Sequence, residues 1–460
     1  MVELRLNQLE AKMKGHVLQG SPSLSFCKFN TDSRLSEPGE LFFALIAERN
    51  GHAFISKAAE KGAAGAVISQ KVVSPRKGFG LIKVEDTLDA LQNLAADVLT
   101  EYQVKVVGIT GSIGKTTTKE FAATLLAPYF RVLKSEGNLN NHIGLPLSVL
   151  KLQENHDIAI LEMGMNHAGE IRNLTRIAPP QIVLITNIQP VHLEFFEDMA
   201  GIAAAKKEIL EGAEQGSTAV LNGDDPWVER ISKDWSGEKV FFGLSDRCDV
   251  SAKNIRIKGW EGMSFILSYG EIRQRISLPF FYETALYNYL AAVALGYAFS
   301  IPLNGICEQT HSLELYKMRG TLIHLDGGMI LIDDSYNSNP AGLESTLKSV
   351  AGLPHKRKVA VLGDMLELGK DSAMYHRKAG EQVFNYAYEL LVTVGALSRV
   401  MAEAAIDSGM PQKQVYSFSN TEEAADNIQE LLESGDLILV KGSRGLKMEN
   451  IVANLKKRRA

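Results

Sequence analysis

Short apolar runs alternate with stretches of helical period along most of this chain. From Asp86 the apolar positions Leu88, Leu91, Leu94, Ala95 and Leu99 share one face of a 3.6-residue repeat, and the run Val104–Ile109 that follows reads as a strand. Further strand-like runs come at Ile158–Leu161, Ile182–Ile185, Ala219–Leu221 and Val240–Phe242, with helical stretches between them. Runs that are apolar throughout, without alternation, predict a parallel sheet covered by helices on both faces. Beyond about Leu313 a second set appears at Met329–Ile332, Val359–Leu362, Leu390–Val394 and Leu437–Val440. Ahead of both, Leu41–Leu45, Ala66–Ile68 and Leu81–Val84 surround a helix-like stretch, Ala53–Lys61. The expected architecture is α/β in three domains. These are a small α/β unit over 1–84, a central doubly wound domain with a mostly parallel sheet over 85–312, and a Rossmann-like domain over 313–460, with hinges near 85 and 313.

Composition agrees and narrows the class. The 460 residues suffice for about three domains of roughly 150. Hydrophobic residues at 45% and charged ones at 22% exclude a disordered, collagenous or coiled-coil chain. With 49 Lys+Arg against 54 Asp+Glu the formal charge is -5, which argues against nucleic acid as a partner. The three cysteines, Cys27, Cys248 and Cys307, lie far apart and in odd number, as expected of reduced thiols rather than a disulfide framework. Met1–Lys14 lacks the apolar core of a signal peptide, and Leu290–Leu303 is short of the roughly 20 residues a membrane span needs. A cytoplasmic monomer without a membrane span is expected. The terminal run Lys456–Arg459 reads as a solvated helix end.

The sharpest local signal is the segment Gly108–Thr117, a glycine-rich turn between a strand and a helix that opens at Lys115. Gly111 and Gly114 allow the backbone N–H groups around Ser112 to converge on an anion. The helix N-terminus adds its dipole, Lys115 a point charge, and the hydroxyls of Thr116 and Thr117 further oxygens, Thr116 being placed to hold Mg²⁺. The strict phosphate-loop pattern has glycine where this chain has Ile109; Gly108 stands one position away. Downstream, Glu162 ends a strand at the carboxyl edge of the sheet, where ligands bind in such folds and where a carboxylate suits Mg²⁺. His192 falls at the same edge after the strand Ile182–Thr186. Lys206 and Lys207 begin a helix after Asp198, where adjacent lysines are by themselves ordinary surface charges.

These segments together resemble the Mur ligase family, the ATP-dependent amide-forming enzymes of peptidoglycan synthesis. The resemblance spans nearly the whole chain. Four more segments, Gly137–Pro146, Ile332–Pro340, Val361–Gly369 and Lys441–Glu449, resemble the family member that adds D-alanyl-D-alanine. Thr31–Arg34, Pro38–Leu45 and Gly51–Ile55 are similar to a uridine-nucleotide-binding domain found in that member and its tripeptide-making relative.

The resemblance implies a phosphoryl-transfer site, with Lys115 on the β/γ-phosphates of ATP, Thr116 and Glu162 on one Mg²⁺ and His192 on a second. Lys206 matches the family lysine that CO₂ converts to a carbamate, a negatively charged group able to serve the second metal; Lys207 is the alternative. Asn288 and Asn337 are expected near the adenine, Asp334 at the ribose and Arg319 near the phosphates. Lys441, Ser443 and Arg444 would shape the dipeptide site, Arg444 through a bidentate contact with its carboxylate. Ser33, Arg34 and Asn141 are expected on the UDP-N-acetylmuramoyl-tripeptide. Where the family usually has His-Asn, this chain has Thr284-Ala285. A sister ligase, a folylpolyglutamate synthase and a nucleotide-driven switch are the competing readings.

Overall fold

The computed structural model describes residues 3–457, and every count below refers to them. Arg458 and Arg459, the end of the basic terminal run, lie outside the described residues.

Three sheets of five or more strands follow one another along the chain. The first runs in the order His16–Gln19, Gly80–Lys83, Gly65–Ile68, Leu41–Phe43, Phe29–Asn30, parallel except for its first pair. The expected helix at Ala53–Lys61 divides into a 3₁₀ turn, Gly51–Phe54, and an α-helix, Ile55–Glu60. Asn50 opens the turn by accepting from the His52 N–H.

The central sheet has nine strands. Its parallel part runs Val132–Lys134, Ile158–Glu162, Lys105–Thr110, Ile182–Ile185, Thr218–Asn222, Lys239–Gly243. The order reverses at Lys105–Thr110, whose neighbours come from different crossovers, so a crevice opens at its carboxyl end. An antiparallel meander, Val250–Ile257, Met263–Tyr269 and Ile272–Leu278, extends the sheet on the far side. The sequence reading did not include this meander. Its two outer strands are half exposed and carry charges such as Lys253, Arg256, Arg273 and Arg275, so they lack the continuous apolar signature.

The third sheet runs Thr321–His324, Ile330–Asp333, Asp436–Lys441, Arg357–Gly363, Leu390–Val394, Val415–Phe418 and is parallel apart from its first pair. Helix Thr87–Tyr102 starts where expected because the Asp86 carboxylate accepts from the N–H groups of Leu88 and Asp89. Its buried face is Ala90, Leu91, Leu94, Ala95, Val98 and Leu99, with Leu88 turned further out. That face belongs to an apolar core continuous from Leu6 and Leu9 to Val106 and Ile185, so the helix joins the first sheet to the second.

Candidate active site

The glycine-rich turn lies at the reversal point. Gly111 (φ 145) and Gly114 (φ 87) take left-handed backbone angles that a side chain disfavours. Space forbids one as well: a Cβ on Gly111 would fall 1.9 Å from Thr186 Oγ1, and one on Gly114 2.2 Å from Asn288 Oδ1. The loop is fixed from the segment after the neighbouring strand Ile182–Ile185, since Ile113 N–H donates to Asn187 Oδ1 at 3.0 Å and Ser112 Oγ donates to Gln189 O at 3.0 Å. Helix Lys115–Leu126 starts immediately after Gly114. Lys115 Nζ donates to Gly111 O at 2.7 Å, inside the loop it serves. Burial lowers the Lys115 pKa below the usual lysine range; the Glu162 charge opposes this and Arg319 adds to it.

Glu162, only 2% exposed, is reached from three sides. Thr116 Oγ1 donates to its Oε2 at 2.9 Å, Asn140 Nδ2 donates to its Oε1 at 2.8 Å, and its own N–H donates to Ser135 Oγ at 3.1 Å. The last contact has a buried anchor: Lys119, fully enclosed, donates to the carbonyl oxygens of Ser135 and Gly137. The sequence reading missed Asn140 and Lys119 as supports. Lys119 stands four residues after Lys115, on a helix where a lysine reads as solvated.

His192, with φ 56, lines the same cleft, and its Nδ1 meets Glu367 Oε2 at 2.5 Å. That hydrogen bond holds the Glu367 carboxyl below the usual carboxylate range. Glu367 too was missed as a site residue, because 175 positions separate the pair in the chain.

The two adjacent lysines differ sharply. Lys206 is 2% exposed and has no carboxylate within ion-pairing distance among the described residues, whereas Lys207 is half-buried and sits 4.0 Å from Glu211. Burial first, and the Lys115 charge second, push the Lys206 pKa well below the usual lysine range.

The third sheet supplies the opposite wall. Asp334 Oδ2 accepts from Lys441 Nζ at 2.6 Å and from Thr346 Oγ1 at 3.0 Å. Arg319 lies 3.9 Å over the Tyr336 ring and its buried Nε has no partner; Arg444 stands 5.7 Å from the same ring and pairs with Glu449 at 2.9 Å. Asn337 Oδ1 accepts from Ser338 N–H, and Ser443 Oγ accepts from Leu366 N–H at 2.9 Å. All these residues except Glu449, with Asn288, Thr117, Ser112 and Gly114, border one cleft of about 480 Å³ between the central and C-terminal sheets.

Five expected residues are not on its lining. Gly111 is a loop residue off the lining, and Asn141 accepts from the N–H of Gly144, the first residue of helix Gly144–Val149, at 2.8 Å. In the first domain Ser33 is buried, while the exposed Arg34 side chain pairs with Asp32 at 2.6 Å. Lys206 is likewise off the lining, behind Lys115.

A phosphate loop, a buried carboxylate bonded to the hydroxyl that follows the loop lysine, and a cleft closed by a second α/β domain define an ATP-using enzyme of the phosphate-loop class. Residues 109–296 match the Mur ligase middle domain and residues 318–444 the Mur ligase glutamate ligase domain. The chain is 35% identical over 427 residues, 92% of each chain, to the UDP-N-acetylmuramoyl-tripeptide–D-alanyl-D-alanine ligase of Bacillus subtilis. It is 33% identical to the enzyme of that name from Escherichia coli, across 99% of both. Among solved structures it superposes on MurF from Acinetobacter baumannii with TM-score 0.88 at 29% identity, covering 99% of each chain. MurF ligase from Thermotoga maritima in complex with ADP gives 0.80 at 27% identity, covering 94% of this chain and 98% of that one. The chain therefore belongs to the Mur ligase family, among its UDP-N-acetylmuramoyl-tripeptide–D-alanyl-D-alanine ligases. A folylpolyglutamate synthase from Mycobacterium tuberculosis, at 16% identity and TM-score 0.63, shares the fold alone. No helix among the described residues is long and apolar enough to cross a membrane.

Proposed function

We propose that this chain uses ATP to join D-alanyl-D-alanine to UDP-N-acetylmuramoyl-tripeptide, giving the pentapeptide, ADP and phosphate, with the cleft residues in the roles that follow. The observation that carries this reading is the contact of Thr116 with Glu162 beside the Lys115 loop. A hydroxyl and a carboxylate are hard oxygen donors, which suits Mg²⁺, an ion that keeps several waters and binds through one or two protein oxygens together with phosphate oxygens. Thr116 and Glu162 would hold one ion and His192 a second, supplying neutralisation of phosphate charge.

A carboxylate resists attack by an amine because its leaving group is poor. Phosphorylation removes that barrier: the tripeptide carboxylate oxygen bonds to the γ-phosphorus as the bond to ADP breaks. Lys115 and the loop N–H groups stabilise the negative charge spread over the transferring group. The neutral amine of D-alanyl-D-alanine then attacks the acyl carbon, loses its proton, and phosphate departs with the former carboxylate oxygen. Arg444 grips the dipeptide carboxylate, Asp334 the ribose, Asn337 and Asn288 the base, and Arg319, with its free Nε, the phosphates. Ser33, Arg34 and Asn141 serve the UDP-tripeptide. The three domains correspond to 1–84, 85–312 and 313–460, one substrate to each, and closure excludes the water that would hydrolyse the acyl phosphate.

Lys206 is the residue set up for carbamylation. CO₂ reacts only with a neutral amine, and burial beside the Lys115 ammonium favours that form. The product is an anion, which relieves the uncompensated positive charge.

Phosphate release measured with UDP-N-acetylmuramoyl-tripeptide, with and without D-alanyl-D-alanine, tests the function. Release that requires both supports it, release that ignores the dipeptide defeats it, and Lys115→Ala serves as the inactive control.

A further inference from the structure

The two ends of the interface between the central and C-terminal domains are unlike. At one end the contact is largely apolar, with one exposed ion pair, Lys348–Glu283 at 3.4 Å, on its edge. Helix Glu283–Ala298 touches helix Pro340–Ala351, the Trp260 and His355 rings meet edge-on at 6.0 Å, and Phe281, Tyr282, Leu343 and Leu347 belong to one continuous core. At the other end, beside the cleft, the domains meet through polar atoms. His192 Nδ1 and Glu367 Oε2 are 2.5 Å apart, and the Glu194 N–H donates to the Glu367 carbonyl at 3.1 Å.

The backbone here is specialised for that contact. His192 (φ 56) and Glu367 (φ 61) are both left-handed without being glycine, a conformation that persists only where the surroundings impose it. Gly369, at φ 55, lets its segment lie so close that a Cβ would stand 3.1 Å from Leu193 O. A carboxylate can only accept, so a hydrogen bond from Nδ1 puts the ring proton there. In the neutral ring Nε2 then carries the lone pair, and no described residue engages it.

We infer that Glu367 is a positioning residue: across the domain boundary it fixes the His192 ring with Nδ1 protonated and Nε2 free for a metal, so that His192 is set only when the C-terminal domain is closed. This rests on the reading of His192 as a group that serves Mg²⁺-bound ATP. The apolar end acts as the hinge. The polar end opens, because exposing hydrogen-bonding groups to water costs little beside exposing a packed core.

The test uses the full chain labelled with ¹⁵N-histidine, with His192→Gln to assign the ring signals. In ligand-free wild type the nitrogen shifts report the Nδ1–H tautomer. Glu367→Ala moves His192 to the Nε2–H tautomer that dominates in free imidazole side chains, and Glu367→Gln, whose amide oxygen still accepts, keeps the wild-type form. Electron paramagnetic titration of Mn²⁺ with a non-hydrolysable ATP analogue then shows half-saturation raised about 10- to 100-fold in Glu367→Ala and restored in Glu367→Gln. X-ray scattering of the ligand-free protein shows a larger radius of gyration for Glu367→Ala.

If the alanine variant fails to fold, Glu367→Asp, one methylene too short to reach, must show the displaced tautomer. Unchanged ring shifts, unchanged Mn²⁺ titration, or a glutamine variant as impaired as the alanine one each overturn the inference. A wild type with the Nδ1–H tautomer and Mn²⁺ binding, but no phosphate release with both substrates, would sink the functional reading alone.

Discussion

Thr116 donates its hydroxyl hydrogen to Glu162 Oε2 at 2.9 Å, joining the helix that follows the phosphate loop to the end of the adjacent parallel strand. Both groups are buried, and Asn140 holds the second carboxylate oxygen. Glu162→Gln, nearly isosteric but uncharged, should raise the Mg²⁺ needed for half-maximal rate and cut kcat/KM by about 10²–10³-fold. Thr116→Ser keeps the hydroxyl and should stay close to wild type, whereas Thr116→Ala should follow the Glu162 variant. Coupled ADP release across a Mg²⁺ titration checks all three.

Only one of the adjacent lysines has the surroundings a carbamate needs. Lys206→Ala should lower the rate by about 10²-fold or more if the modified group serves the metal, while Lys207→Ala, which loses only a long contact with Glu211, should remain near wild type. With ¹³C-bicarbonate, the carbamate carbon signal should vanish in the first variant and persist in the second. The reverse pattern would assign the carbamate to Lys207.

The unmodified Lys206 also makes stability depend on pH. Its folded pKa lies below 10.5, so between the two values the unfolded chain binds more protons, and stability rises with pH through that window. Below the folded value the cost of the buried charge is fully present; above 10.5 it is gone. In CO₂-free buffer, Lys206→Met should therefore raise the melting temperature by a few degrees at low to neutral pH, with the gain shrinking toward pH 10.5. Calorimetry over a pH series checks this, and a pH-independent gain would contradict it.

Arg444 is poised rather than buried, paired with Glu449 at 2.9 Å and standing 5.7 Å from the Tyr336 ring. Lysine keeps the charge but loses the planar two-point grip on a carboxylate. Arg444→Lys should raise KM for D-alanyl-D-alanine about tenfold, a loss of about 1.4 kcal/mol, while KM for ATP stays within about twofold of wild type. Equal effects on both constants would place Arg444 elsewhere in the cycle.

The sequence by itself determined the phosphate loop, because glycines, lysine and threonines only a few residues apart do their work locally. It also determined the helix that starts after Asp86, a side-chain cap acting over three residues, and the parallel strands buried on both faces. The outer strands Val250–Ile257 and Ile272–Leu278, charged and half exposed, stayed hidden, since their apolar positions follow no unbroken run. Tertiary structure alone decided how the site is held. Lys119 is a buried anchor only because the segment from Ser135 to Gly137 passes over it, and Lys206 differs from Lys207 only by which side of its helix faces the core. Glu367 meets His192 only once two domains have packed together. Contacts between distant segments depend on how whole elements pack, and the order of residues along any one of them carries no record of that.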